Sequence, residues 1–107
     1  MTALLTHDPV LALFRAAVAD LYGTRLARVV LFGSRARGEA RADSDYDVAV
    51  FLTALDDRWA ELDRLADLRV RLLDETGAFF DAKPYPVEHY SAVTPLMHEI
   101  RREGVIL

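Results

Sequence analysis

Leu31-Phe32-Gly33-Ser34-Arg35-Ala36-Arg37-Gly38, followed by Asp43-Ser44-Asp45-Tyr46-Asp47-Val48-Ala49-Val50, joins a small-residue turn to two carboxylates spaced by one residue. Side chains alternate along a strand, so Asp45 and Asp47 point to one side of the apolar run that reaches Leu52. Two like charges held that close repel unless a cation sits between them, and hard oxygen ligands select Mg²⁺ or Mn²⁺. The turn follows the strand-like run Ala27–Phe32. Gly33 lets an anion approach the backbone, and a helical turn opening at Ser34 adds free amides and a hydroxyl. Arg35 and Arg37 offer fork-shaped donors beside it. Either half alone is ordinary: a Gly-Ser turn is usually just a turn, and D-x-D is usually a solvated strand end. The signal is their juxtaposition. A short connection makes the two runs antiparallel neighbours, which puts the glycine turn and the acid pair on one edge of a sheet.

Outward from this stretch the chain alternates helices and strands. Asp8 caps a helix with Pro9 at its first position, and Val10, Leu11, Leu13, Phe14, Ala17, Val18 and Leu21 form an apolar stripe ending near Gly23. Asp56 or Asp57 opens a long helix carrying Trp59, Leu62, Leu65, Leu68, Leu72 and Leu73, with Gly77 as its stop. A third strand is expected over Ala78–Lys83, interrupted by Pro84 and Pro86, which points to a sheet edge or a ragged end. Thr94-Pro95 starts a last helix through Arg102, Gly104 stops it, and Val105-Ile106-Leu107 form an apolar tail. The expected fold class is α/β, a small mixed β-sheet flanked by helices, in one domain spanning residues 1–107.

Composition narrows the function classes. The net charge of −4 argues against broad nucleic-acid binding through a basic face. With no cysteine, disulfides and thiolate metal sites are excluded. Residues Met1–Asp8 lack a basic leader and no apolar run is long enough to cross a bilayer, so a cytoplasmic protein is expected, without membrane attachment. An apolar fraction of 52% is high for 107 residues and leaves apolar surface for a partner. His7, His89 and His98 are too scattered for a histidine metal site. Trp59 reads as core or interface, and Arg64, Arg69 and Arg71 among Asp63, Asp67, Asp74 and Glu75 read as a charged helix face. Arg41, between the motif halves, either reaches an anion or faces water.

Gly33-Ser34, ten intervening residues and Asp45-Tyr46-Asp47 resemble the G-S-x₁₀-D-x-D signature of the minimal nucleotidyltransferases, within the DNA polymerase β-like superfamily. Arg35-Ala36-Arg37-Gly38 and Ser44 extend the likeness, and no P-loop or G-x-G-x-x-G is present. The resemblance implies a polymerase β-like nucleotidyltransferase fold and transfer of AMP from ATP to a hydroxyl. It assigns Asp45 and Asp47 to two Mg²⁺ ions, with Mn²⁺ as a substitute, and Gly33, Ser34, Arg35 and Ser44 to the nucleotide. The family generally uses a third acid. A strand, long helix and strand make a parallel crossover, so strands two and three start on the same edge and Asp81 is the candidate metal ligand and proton acceptor. Its other reading is a solvent-facing strand residue. Glu88, after two prolines, is a weaker substitute. Stand-alone relatives resemble antitoxins paired with a HEPN-domain ribonuclease toxin, which implies such a partner and one of its hydroxyls as acceptor. The alternative is a non-catalytic antitoxin that neutralises its partner by steric masking.

Overall fold

The computed structural model describes residues 8–107. The readings made on Met1–His7, the lack of a leader and the histidine among them, lie outside that range. Helix α1, Pro9–Tyr22, starts where Asp8 Oδ1 accepts the amides of Val10 and Leu11 at 2.8 and 3.3 Å. Proline at its first turn has no amide to leave unpaired. Leu11, Phe14, Val18 and Tyr22 form the buried stripe, whereas Leu13 is 47% exposed and Leu21 also faces outward. The apolar stripe is therefore narrower than the composition of α1 suggests.

Strand β1, Leu26–Phe32, runs into a one-turn helix α2, Gly33–Ala36, and the chain returns along β2, Tyr46–Leu52. β1 and β2 are antiparallel, with Phe32 opposite Asp47. Asp57 Oδ1 caps helix α3, Arg58–Thr76, at the Ala60 amide, and Gly77 ends it in a left-handed conformation at φ 76°. Strand β3, Phe80–Pro86, lies parallel to β2. Helix α4, Pro95–Glu103, is capped by Thr94, and Gly104 leads into β4, Val105–Ile106. The sheet order is β3-β2-β1-β4. The mixed α/β class expected from the sequence is what the chain adopts.

Two element readings are corrected. β3 begins two residues later than expected and continues through Pro84 and Pro86 rather than breaking there. The Tyr46 amide donates to Phe79 O at 2.8 Å, so the odd-numbered residues of this strand turn their backbone groups toward β2. Pro84 and Pro86 then face the open edge, where no N–H is needed. The apolar C-terminal tail is a strand, with Val30 opposite Ile106 and Leu31 opposite Val105. Of the two readings of Trp59, core and interface, exposure excludes the core: it is 79% exposed on the first turn of α3.

Side-chain alternation divides the sheet into two faces. One carries Val29, Leu31, Tyr46, Val48, Val50, Phe80 and Ala82 against α1 and the Leu65, Leu68 and Leu72 stripe of α3. The other carries Val30, Ala49 and Phe51 against Met97 and Ile100 of α4. Asp47 and Asp81 fall on this second, thinner side, because each lies two residues from a side chain of that face or in step with one: Ala49 and Tyr85.

Candidate active site

The site stands where β1 ends and β2 and β3 begin. In the parallel register Asp47 is directly opposite Asp81 and Tyr46 opposite Phe80, so the crossover helix delivers the two acids side by side on one edge. Asp45 precedes β2 by one residue and is exposed. From the antiparallel side, Gly33 follows the Phe32 that pairs with Asp47. Gly33 has φ 75°, and a Cβ there would meet the Asp47 carboxylate, lying 3.1 Å from its Cγ. Glycine at this position thus does two things at once: it supplies the left-handed backbone of the turn and leaves room for an acid. Ser34 sits half-buried in the same turn.

Arg35 and Ser44, expected at the nucleotide, are engaged with each other. Arg35 Nε and Nη2 donate to Ser44 O at 3.1 and 2.8 Å, and Nη2 also reaches the carbonyls of Arg41 and Ala42 at 3.3 Å. The Ser44 hydroxyl accepts the Arg41 amide at 2.8 Å, closing the turn before Asp45. Arg41 itself is exposed, and only its backbone takes part. Arg37 bridges Glu39 at 2.8 Å and Glu103 at 3.1 Å, tying the glycine turn to the end of α4. Glu88, the substitute third acid, is exposed in a 3₁₀ turn, Val87–Ser91.

Burial, then the charges of Asp81, Asp45 and Glu99, push the Asp47 carboxyl above its ordinary value, with Lys83 opposing. Desolvation is the larger cause, and the repulsion of neighbouring carboxylates adds to it. Every candidate ligand is a hard carboxylate oxygen, the donor set that suits Mg²⁺. Among the described residues no three Asp, Glu, His or Cys side chains converge tightly enough to enclose an ion by themselves. An octahedral ion that keeps only one or two carboxylates and takes its other ligands from water and phosphate fits such an edge.

Two further side chains belong to the site that the sequence reading passed over. Lys83 Nζ lies 3.9 Å from Asp81 Oδ1. Its position two residues on, hence on the same face, was a usable signal. Glu99 reaches the field of Asp47 from α4, and no local pattern tells which way a terminal helix turns over a sheet. Three concavities lie elsewhere: about 510 Å³ between α1 and α3, about 470 Å³ beside Arg25 and Glu61, and about 290 Å³ between α3 and Phe79. None of the three is lined by Asp45, Asp47 or Asp81.

A glycine turn after one strand and acids in register on the next two thus meet at one rim of the sheet. Residues 21–107 match the family described as Polymerase beta, Nucleotidyltransferase, and the chain belongs to that family. Two solved structures share its fold. A toxin-antitoxin with AMP-PNP is 23% identical with a TM-score of 0.59, the match covering 85% of this chain and 67% of that one. A mutant of the toxin-antitoxin MntA-HpeT is 21% identical with a TM-score of 0.60 and the same coverage. At these identities the likeness is one of fold. No curated relative matches the chain.

Proposed function

We propose that the chain is a metal-dependent nucleotidyltransferase that moves AMP from ATP to a hydroxyl of a partner protein, acting as one minimal cytoplasmic domain. The partner in this reading is the HEPN-domain ribonuclease toxin of a two-gene module, with the chain as its antitoxin. The observation that carries the chemistry is the register that sets Asp47 beside Asp81, with Gly33 leaving space for the Asp47 carboxylate. The AMP-PNP and toxin-antitoxin names of the structural neighbours support the nucleotide and the partner. No helix among the described residues is long and apolar enough to cross a membrane.

Asp45 and Asp47, joined by Asp81, would hold two Mg²⁺ ions. When bound, such ions neutralise charge on the triphosphate and at the α-phosphorus. The backbone at Gly33 and the Ser34 hydroxyl receive the outer phosphates. The acceptor hydroxyl oxygen forms a bond to the α-phosphorus as the bond to the pyrophosphate oxygen breaks, its proton passes to Asp81, and pyrophosphate leaves. Positioning and electrostatic stabilisation supply the rate in such a displacement.

The test is incubation of the chain with its co-expressed partner, Mg²⁺ and ATP labelled at the α-phosphate. Label on the partner with stoichiometric pyrophosphate release is expected, and Gly33→Ala should lose both by crowding Asp47. Absence of transfer from any nucleoside triphosphate would refute the enzymatic reading. A second reading, neutralisation by masking alone, draws on the exposed Trp59, Val70 and Phe79, at 79, 67 and 57% exposure, as contact surface for the same partner. It expects neutralisation to survive loss of the acids.

A further inference from the structure

Arg35 grips the acid strand at alternate residues. Its guanidinium donates to the Ser44 carbonyl with two nitrogens and stacks on the Tyr46 ring, with Cζ 3.9 Å from the ring centroid. Ser44 and Tyr46 are the residues immediately before Asp45 and immediately before Asp47. Because side chains alternate along β2, the arginine, stacked on Tyr46, sits on the face opposite Asp47 and holds that strand from behind. Tyr46 in turn stacks on Phe80 at 4.7 Å and Phe80 on Phe14 at 4.5 Å, so Arg35 closes a column anchored in α1. The Tyr46 hydroxyl donates to Asp8 Oδ2 at 2.7 Å, which fixes the ring against rotation and links it to the cap of that helix.

We propose that Arg35 is a positioning residue for the metal-binding acids rather than a phosphate ligand: it ties the glycine turn to the Ser44–Asp47 segment, and so fixes the distance between the phosphate half and the metal half of the site. This deepens the nucleotidyltransferase reading and rests on it. Asp45 lies outside the β2 ladder and is exposed, so its placement depends on the turn that precedes it. That turn is held by its own Ser44–Arg41 bonds and by the Arg35 fork on the carbonyls of residues 41, 42 and 44. A lysine keeps the charge but presents a single ammonium where several carbonyls and a ring face need a planar fork.

The experiment compares wild type, Arg35→Ala and Arg35→Lys for Mg²⁺ dependence of transfer at saturating ATP, and for the ATP KM at saturating Mg²⁺. Mn²⁺ binding without nucleotide is followed by calorimetry, and folding by circular dichroism. The expected result is a tenfold or greater rise in half-saturating Mg²⁺ and weaker Mn²⁺ binding in both variants, with the ATP KM within about twofold of wild type. If Arg35→Ala fails to fold, Arg35→Lys decides. Full rescue by lysine, or a raised ATP KM at unchanged Mg²⁺ dependence, would assign Arg35 to the phosphates and overturn the inference. So would a lowered Tm with metal dependence unaltered. A wild type that transfers AMP alongside unaffected variants refutes the inference alone. A wild type that neither transfers nor binds Mn²⁺ removes the enzymatic reading and this inference with it.

Discussion

Asp47 is the side chain on which both halves of the site converge. It pairs with Asp81 across β2 and β3 and fills the space that Gly33 leaves free. Its carboxyl titrates above the ordinary range because it is buried and faces Asp81, Asp45 and Glu99. The folded chain therefore holds this proton to higher pH than the unfolded chain does. Stability falls as pH rises from the unfolded value through the folded one, and at neutral pH the ionised group works against folding. Without metal, Asp47→Asn should therefore have the higher Tm at pH 7, and its advantage should shrink as the pH is lowered through the carboxylate range. Its transfer rate should drop by roughly a hundredfold or more, as expected for loss of a positioned catalytic group. A variant with a lower Tm at pH 7 and undiminished Mg²⁺-dependent transfer would contradict this placement. The shared edge of Asp47 and Asp81 was legible, since a parallel crossover is a rule of backbone geometry, whereas Asp45 precedes β2 and strand alternation does not place it. The destination of Arg35 was not, because it depends on the Tyr46 ring and on carbonyls of the intervening turn, contacts that no periodic pattern encodes.

At the scale of elements, α3 does more than cross from β2 to β3. Glu61, only 3% exposed, accepts from Arg25 Nη2 at 2.8 Å and from Arg64 Nη1 at 2.9 Å, joining α3 to the 3₁₀ turn Gly23–Arg25 before β1. Burial pushes its carboxyl up, but the hydrogen bonds from Arg25 and Arg64 outweigh that and hold it below the ordinary value. Such a group contributes stability that is present above its unfolded pKa and lost as pH falls through the folded one. Glu61→Gln should cost about 2 kcal/mol at pH 7, less than a fully buried pair would because both arginines reach water. Chemical denaturation at pH 7 and pH 3 checks this, with the deficit expected to narrow in acid; an unchanged midpoint at pH 7 would show the cluster to be incidental. This carboxylate was invisible in the sequence, where it sits in a helix rich in charge of both signs. The edge position of β3 was legible from Pro84 and Pro86, but its full length was not: proline stops a central strand and not one whose outer side is unpaired. β4 was missed because two paired residues give no periodicity to read.

For the whole molecule, the four-stranded sheet serves as a frame that brings the turn after β1 and the starts of β2 and β3 to one rim. The solvent side of α3 and the adjoining Phe79 leave Trp59 and Val70 exposed, and a net charge of −4 gives no basic field for a nucleic acid. The general claim, that this rim transfers a nucleotide to a partner protein, is tested most directly by the intact mass of that partner. The co-expressed partner is purified after exposure to the chain, ATP and Mg²⁺, and weighed beside material made with the chain carrying both Asp45→Asn and Asp47→Asn. The predicted result is an added adenylyl mass on the partner with wild type, located on a hydroxyl side chain and absent with the double variant. An unmodified partner that wild type and double variant neutralise equally well would contradict it.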